Sequence, residues 1–544
     1  MTAFAAVLGG LGLFLLGMWL MTEGLKLAAG NALRSILQTW TGSPARGLGA
    51  GILITAIVQS SSAVTVATVG FVNAGLLTLS QAIWVVIGTN VGTTGTGWLV
   101  ALVGVKVNVG LLALPLLGLG MLLRLAAGPH PQRAGIGQAM AGFGAFFLGV
   151  DILQGGFQDL APRIADLPLL DTGWLAILGF LGIGIAITVL TQSSSASIAI
   201  ILTAAATGGM PLELTAAAMI GTSIGTTSTA LFAAIGATAP AKRVASAHIL
   251  FNLMTGAVAL ALSPLLLPAS SFLAGQAGLG GDQPAILAVF HTLYKCLGVV
   301  LIWPLVPLLV RFLSRLFVYR EDEQGRAQFL DATLMTVPAL AVEGLVRELA
   351  RMQELAFDLA RQRIADGIGR RAALDRQHDA VRHLGGEIRD FVEKLGASAL
   401  PDDVVEALPD LVRTIQHLEE VADAGGEIAA TPPPAPQISA GENWEALRQA
   451  VRDSLALATG DEESGSALAE LAGRREAAYQ HIKSDLLRRA ALGSLPVRTM
   501  EPALLHAQRL RRLAEFAVKA RQRFLPWRDG VGRDGVGREP AGTE

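Results

Sequence analysis

Two short polar runs interrupt otherwise apolar sequence: Gln59-Ser60-Ser61-Ser62 and Gln192-Ser193-Ser194-Ser195. Each offers one amide and three hydroxyls, with no charge, inside an apolar stretch covering about 45–76 or 174–210. At membrane depth, backbone that leaves the helix is tolerated only where protein or a watery cavity satisfies its freed N–H and C=O groups. Each run therefore reads as the tip of a re-entrant hairpin. The half-helix after such a break presents amide N–H groups and a dipole that favours an anion. Two tips brought together would form an uncharged cradle of glutamine amides and six serine hydroxyls, suited to an oxyanion with four oxygens.

A second pair of segments follows, Gly88-Thr89-Asn90-Val91-Gly92-Thr93-Thr94 and Gly221-Thr222-Ser223-Ile224-Gly225-Thr226-Thr227. Both supply hydroxyl, amide and carbonyl oxygens, with glycines that would let carbonyls turn inward. Hard monovalent cations such as sodium favour a neutral oxygen cage of that kind. Net charge is costly within a membrane, so a cation and an anion entering together offset one another. That is a physical reason for symport. His248 and Asn252 lie four apart on one helix face, as do His291 and Lys295. They suit interhelix hydrogen bonds as well as ligation, although an intramembrane lysine is a functional candidate by default.

Serines and threonines in membrane helices also bond their own backbone or line helix contacts, and glycines serve packing. Recurrence is what sets these segments apart. Gln59 and Gln192 are 133 residues apart, as are Gly88 and Gly221, Gly49 and Gly182, Gly51 and Gly184, and Thr55 and Thr188. Upstream, Phe14, Gly17 and Gly24 match Phe146, Gly149 and Gly156 at an offset of 132. The unit is duplicated. Each copy is expected to hold one span, a hairpin and two further spans. That odd number of crossings makes the second copy enter from the opposite face, with the site near the midplane between the inverted repeats.

The surrounding composition supplies the elements that must hold these residues. Of the first 318 residues, 12 are Lys or Arg and 7 are Asp or Glu, whereas 67 of the last 226 are charged. The front is membrane-embedded and the back is an aqueous domain. Expected full spans are about 3–25, 81–103, 107–124, 134–157, 213–236, 244–267 and 285–310. With the C-terminus inside, Lys26, Arg34, Arg46, Arg124, Arg133, Lys242, Arg243, Arg311 and Arg315 face the cytoplasm, and only Lys106 and Arg163 lie outside. The first apolar stretch has no basic residue before it and reads as a retained span, not a cleaved signal.

Other function classes fit poorly. The net charge of −2 and the lack of a concentrated basic face argue against nucleic acid. The single cysteine, Cys296, excludes an internal disulfide and a CxxC metal site. A serine hydrolase would need a base within reach, and neither QSSS run has a neighbouring His or Asp. A Walker-type GxxxxGK is missing, which disfavours an ATP-driven pump.

Paired QSSS runs, each followed by a Gly-Thr-Asn/Ser-x-Gly-Thr-Thr segment, and then His248-Ile249-Leu250-Phe251-Asn252, resemble the type II sodium–phosphate cotransporter family in its bacterial form with a C-terminal PhoU-like domain. The resemblance covers residues 1–318 strongly and 330–525 more weakly. It implies an all-α polytopic protein of the cell inner membrane with its C-terminal domain in the cytoplasm, and a non-enzymatic role: sodium-coupled uptake of inorganic phosphate by alternating access. It implies phosphate at Gln59, Ser60, Ser61, Ser62, Gln192, Ser193, Ser194 and Ser195. It implies sodium as the coupling ion at Thr89, Asn90, Thr93, Thr94, Thr222, Ser223, Thr226 and Thr227, with no other cofactor. His248, Asn252, His291 and Lys295 are secondary candidates. Membrane lipid is a necessary partner, and a homodimer is compatible. A phosphate-responsive signalling scaffold acting through the tail is the alternative. Two departures stand out: Ser223 replaces an Asn, and His291-Thr292-Leu293-Tyr294-Lys295 carries a Lys where the family pattern has Asn. An ammonium there could take the place of a bound cation.

The expected domains are membrane repeat 1 over 1–132, membrane repeat 2 and the last span over 133–318, a cytoplasmic helical domain over 319–525 and a disordered Gly-rich tail over 526–544. In the helical domain, Leu345, Val346, Leu349, Met352, Leu355, Ala356 and Leu359 recur at helical spacing, as in an antiparallel bundle. Pro401 and Pro409 are expected at helix starts, and the proline-rich 431–443 as a linker. Leu418-Glu419-Glu420-Val421-Ala422-Asp423 resembles the PhoU E-x-x-x-D signature, which implies Glu419 and Asp423 as metal ligands; a solvated face is the plainer reading.

Overall fold

The computed structural model describes residues 2–29, 36–37, 39–73, 76–106, 109–128, 130–165, 173–235, 237–317, 325–331, 334–336, 338–365, 371–396, 402–430, 434–457 and 465–530. Among them every regular element is helical. The chain divides into two compact units, Met1–Val318 and Tyr319–Glu544.

The first unit begins with α1 (Thr2–Ala29), α2 (Pro44–Val58), α3 (Ser61–Asn73), α4 (Leu79–Gly92), α5 (Thr94–Lys106) and α6 (Val109–Ala126). The second copy runs through α7 (Pro131–Ala165), α8 (Trp174–Thr191), α9 (Ser194–Ala205), α10 (Leu212–Gly225) and α11 (Thr227–Ala234). It is followed by α12 (Ala239–Ala261), α13 (Ser263–Gln276), α14 (Gln283–Ile302) and α15 (Val306–Arg315). Starts are written in the sequence. Ser43 caps α2 ahead of Pro44, Thr78 and Gln81 form a capping box on α4, and Thr238 caps α12.

Among the described residues five helices are long and apolar enough to cross a membrane: Phe4–Ala29, Pro131–Asp159, Trp174–Thr191, Ala239–Ala261 and Gln283–Arg315. Two expected spans are interrupted. The stretch 81–103 divides at Thr93 and 213–236 divides at Thr226. At both places the threonine hydroxyl bonds the carbonyl four residues back, at 2.8 Å, a bond that tends to bend a helix. Expected span 244–267 ends early at Leu262, because Ser263-Pro264 opens a new helix. The segment Trp174–Thr191, expected as a hairpin arm, is by itself long enough to span. Residues 107–108 of another expected span lie outside the described residues.

Glycine sets how the helices meet. α1 and α7 pack antiparallel, with the rings of Phe14 and Phe146 4.9 Å apart. A Cβ on Gly17 would come within 2.1 Å of the Phe146 amide, and one on Gly149 within 2.3 Å of the Phe14 amide. The contact is reciprocal: each residue of one copy meets its partner's counterpart in the other. The crossing of α2 with α4 is likewise reproduced by α8 with α10. Added Cβ atoms on Gly51 and Gly88 would lie 2.1 and 2.2 Å from the carbonyls of Val85 and Leu48. At Gly184 and Gly221 they would lie 1.9 and 2.1 Å from those of Ala218 and Leu181. Gly88 and Gly221, expected to turn carbonyls inward, instead let helices touch, as small residues do in membranes.

The second unit, taken alone, contains α16 (Pro338–Ala365), α17 (Arg371–Gly396), α18 (Asp402–Ala430), α19 (Glu442–Leu457), α20 (Gly465–Ala491) and α21 (Val497–Gly530). Leu345, Leu349, Met352 and Leu359 are fully buried on one stripe of α16. Pro409 sits inside α18, not at a helix start. Pro401 and residues 431–433 lie outside the described residues, and Pro436–Ser439 forms one helical turn within the expected linker. Residues 526–530 belong to α21; the Gly-rich run beyond them lies outside the described residues.

Candidate functional site

Both QSSS runs break the helix in the same way. Gln59 and Gln192 adopt left-handed backbone, with φ of 56° and 50°. Phe317 is the one other non-glycine residue with positive φ among those described. Such a conformation is uncommon for a residue bearing a Cβ and tends to gather at functional sites. In each copy the glutamine Nε2 donates to the carbonyl three residues back, at 2.6 Å to Ala56 and 2.5 Å to Val189. That bond leaves Oε1 directed away from its own helix. The first serine then caps the next helix: Ala63 N–H donates to Ser60 Oγ at 3.3 Å, and Ala196 N–H to Ser193 Oγ at 3.2 Å. Ser60 and Ser193, expected as ligands, therefore already have a structural task. Ser61, Ser194 and Ser195 are buried in the first turn of the following helices, and Ser62 is half-buried.

The breaks come together through a residue the sequence reading did not select. Thr96 Oγ on α5 donates to Gln59 Oε1 at 2.9 Å and lies 3.3 Å from Ser195 Oγ. One hydroxyl thus links the first break to the second. Extending the duplicated segments by two residues would have pointed to Thr96, whose counterpart at the same offset is Thr229. Met18, Met21, Leu99, Phe143 and Phe146 line the seam around this junction. The seam is too tight to admit even a water molecule.

The second glutamine does not enter this junction. Gln192 is exposed, whereas Gln59 is only 8% exposed. Around the second break Thr191 and Ser197 hydroxyls lie 3.1 Å apart, and Ser197 donates to the Ser193 carbonyl at 2.9 Å. The equivalent places in the first copy are Val58 and Val64, which can do neither.

Threonine hydroxyls of the two Gly-Thr segments donate to carbonyls of their own helices, which leaves their oxygen lone pairs free. Thr89, Thr93 and Thr94 donate to Val86, Thr89 and Val91 carbonyls at 2.8 Å, and Thr222 and Thr226 do likewise to Met219 and Thr222. Thr227 opens α11 and is half-buried. Asn90 and Ser223, at equivalent positions, are the ones that reach another element, and both reach α14. Lys295 Nζ donates to Asn90 Oδ1 at 3.1 Å and to Asn252 Oδ1 at 2.9 Å. Ser223 Oγ lies 2.7 Å from the Tyr294 hydroxyl. His248 and His291 are buried beside this cluster, and neither ring has a hydrogen-bond partner among the described residues.

In the second unit, Glu419 makes a bidentate pair with Arg389, both bonds 2.9 Å. A Cβ on Gly385 would fall 2.3 Å from Glu419 Oε1, so glycine there makes room for the carboxylate. Asp423 pairs with Arg382 at 2.8 Å and His378 at 2.7 Å. Its hydrogen bond and charge hold the Arg382 guanidinium above its ordinary pKa. Among the described residues no group of three or more His, Cys, Asp or Glu side chains is placed to hold a metal. Glu419 and Asp423 are each paired with an arginine of α17.

The sequence pattern of the Na+/Pi-cotransporter family matches residues 13–155. The chain is 32% identical over 311 residues to "Uncharacterized protein YqeW" of Bacillus subtilis, covering 56% of this chain and 94% of that one. It is 24% identical over 447 residues to "Putative inorganic phosphate export protein YjbB" of Salmonella typhimurium, covering 78% and 77%. It is 39% identical over 98 residues to "Sodium-dependent phosphate transport protein 2A" of Rattus norvegicus, covering 18% and 15%. No solved structure matches the chain.

Proposed function

This chain belongs to the Na+/Pi-cotransporter family, and from that premise we propose that it carries inorganic phosphate across the cell inner membrane in symport with sodium, by alternating access between two inverted repeats. The observation that carries the reading is the junction of Gln59, Thr96 and Ser195, where a strained break from each copy meets through one hydroxyl. Reciprocal packing of α1 on α7 supports the inverted relation. The α3 and α9 first turns supply amide N–H groups and positive dipole ends for the anion. Gln59 Nε2 keeps one N–H beyond its bond to Ala56, and the Thr96 and Ser195 hydroxyls can rotate toward phosphate oxygens. The seam is closed as it stands, so phosphate must part the two breaks to enter. Separation and rejoining of these tips is the motion the mechanism requires. Asn90 and Ser223 are the polar groups best placed to pass the state of the ion site to α14.

The orientation with the second unit in the cytoplasm rests on the distribution of Lys and Arg. The salt-bridged α17–α18 face gives that unit a stabilising role more readily than a metal-binding one. The test is flux of labelled phosphate in proteoliposomes of the full chain, with sodium gradients imposed in each direction. Accumulation that follows the sodium gradient is expected. Phosphate binding without flux would point to a signalling scaffold, and flux indifferent to sodium would refute the coupling. Since one relative is named as an export protein, both directions must be measured.

A further inference from the structure

We propose that Lys295 is a built-in cation that holds the place of one coupling sodium ion. The inference rests on the sodium-coupled reading above and sharpens its stoichiometry.

The chain contains two elements of the same pattern, His248-Ile249-Leu250-Phe251-Asn252 on α12 and His291-Thr292-Leu293-Tyr294-Lys295 on α14. They face one another, and the last residue of the second donates to the last residue of the first. Lys295 is 2% exposed, and among the described residues its ammonium has no carboxylate partner. Its acceptors are two amide oxygens, from Asn90 and Asn252. Both amides are locked in that orientation, because each Nδ2 donates to the carbonyl one turn back, Val86 or His248, at 3.0 Å. The rings of Phe251 and Tyr294 lie 6.0 and 5.7 Å from Nζ and add their negative faces. Neutral amide oxygens held rigidly at this spacing, with no counter-anion, are ligands for a monovalent cation. Here the cation is covalently tethered.

A sodium ion entering the same cage would sit a few ångströms from the ammonium, and like charges at that distance in a membrane interior repel strongly. One mobile cation is thereby displaced. The tethered charge still offsets the phosphate, so fewer sodium ions need to travel with each anion. Pseudo-symmetry strengthens the point. Asn90 and Ser223 occupy equivalent positions, yet the amide meets Lys295 and the shorter hydroxyl meets Tyr294. The two copies therefore offer the cation unequal sites.

The experiment compares labelled sodium and labelled phosphate fluxes, together with charge moved, in proteoliposomes of wild type, Lys295→Asn, Lys295→Gln and Lys295→Arg. Lys295→Asn and Lys295→Gln are expected to raise the sodium:phosphate ratio by about one and to steepen the sodium dependence, while Lys295→Arg keeps the wild-type ratio. An unchanged ratio in either neutral variant would overturn the proposal. Two neutral side chains are used so that failure of one to fold leaves the other to decide. If neither folds, sodium binding measured calorimetrically on Lys295→Arg and wild type decides: equal stoichiometry supports a fixed charge, and an extra ion in the arginine variant overturns it. Sodium-independent flux in the wild type would instead refute the transport reading itself.

Discussion

The two QSSS breaks share a backbone turn and differ in what surrounds it. Gln59 and Gln192 take the same left-handed turn, fold their amides onto the same relative carbonyl and hand over to a capping serine in the same way. Only Gln59 is buried and bonded across to another element. Gln192 is exposed, and its neighbours Thr191 and Ser197 knit the second break to itself. Identical motifs therefore fix the local turn, while the packing around them decides which copy offers its glutamine to the junction and which offers a serine.

The shared part should break symmetrically, and with the largest effect. Gly51→Val and Gly184→Val both force side chains into a facing carbonyl at about 2 Å. Each is expected to cost about 3 kcal/mol or more of stability, the upper range for overpacking with backbone displacement, read as loss of monodisperse protein in detergent. Unequal outcomes would show that the two crossings are not equivalent. The unshared part should break asymmetrically. Gln59→Ala is expected to lower phosphate flux by roughly tenfold or more, the scale of one hydrogen bond to a charged group. Gln192→Ala should lower it by less than about threefold, since that amide lies outside the junction and bonds a carbonyl of its own helix. Equal losses would mean that both glutamines reach phosphate during the cycle.

A smaller contrast is expected at Thr96 and Thr229. Thr96→Val keeps the shape but removes the bridging hydroxyl, and about fivefold loss of flux is expected from one hydrogen bond of about 1 kcal/mol. Among the described residues Thr229 bonds only the carbonyl of Thr226, the N-cap of its own helix, so Thr229→Val should leave flux near wild type. The smallest effects return to symmetry. Ser60→Ala and Ser193→Ala each remove one helix cap, worth about 1 kcal/mol, and should lower the unfolding temperature by similar amounts. A loss of flux far beyond that loss of stability would assign the two serines to phosphate.

Much of this was legible in the sequence because duplication marks positions that share a physical constraint. The 133-residue offset located both breaks, and polar runs in apolar sequence said why they must be breaks. The kinks at Thr93 and Thr226 were less visible, since an apolar run on either side reads as one span. For the glycines of the threonine-rich segments both packing and inward-turned carbonyls were open readings, because composition records a missing side chain but not which neighbour needs the space. Thr96 was overlooked because its importance lies in meeting Ser195, 99 positions away in sequence. Lys295 was conspicuous as a charge in an apolar helix, yet its amide partners come from two other helices and only the fold joins them. In the tail, the spacing of Glu419 and Asp423 correctly placed them on one helix, but their arginine partners come from the neighbouring one.

If the two breaks hold one substrate jointly, a double-mutant cycle on phosphate flux reveals it. Gln59→Ala, Ser195→Ala and the double variant would be compared with wild type under an imposed sodium gradient. A joint site predicts non-additive losses, with a coupling of about 1 kcal/mol or more between the two positions. Additive losses, within about 0.5 kcal/mol, would mean that Gln59 and Ser195 act on separate steps and that no joint site exists.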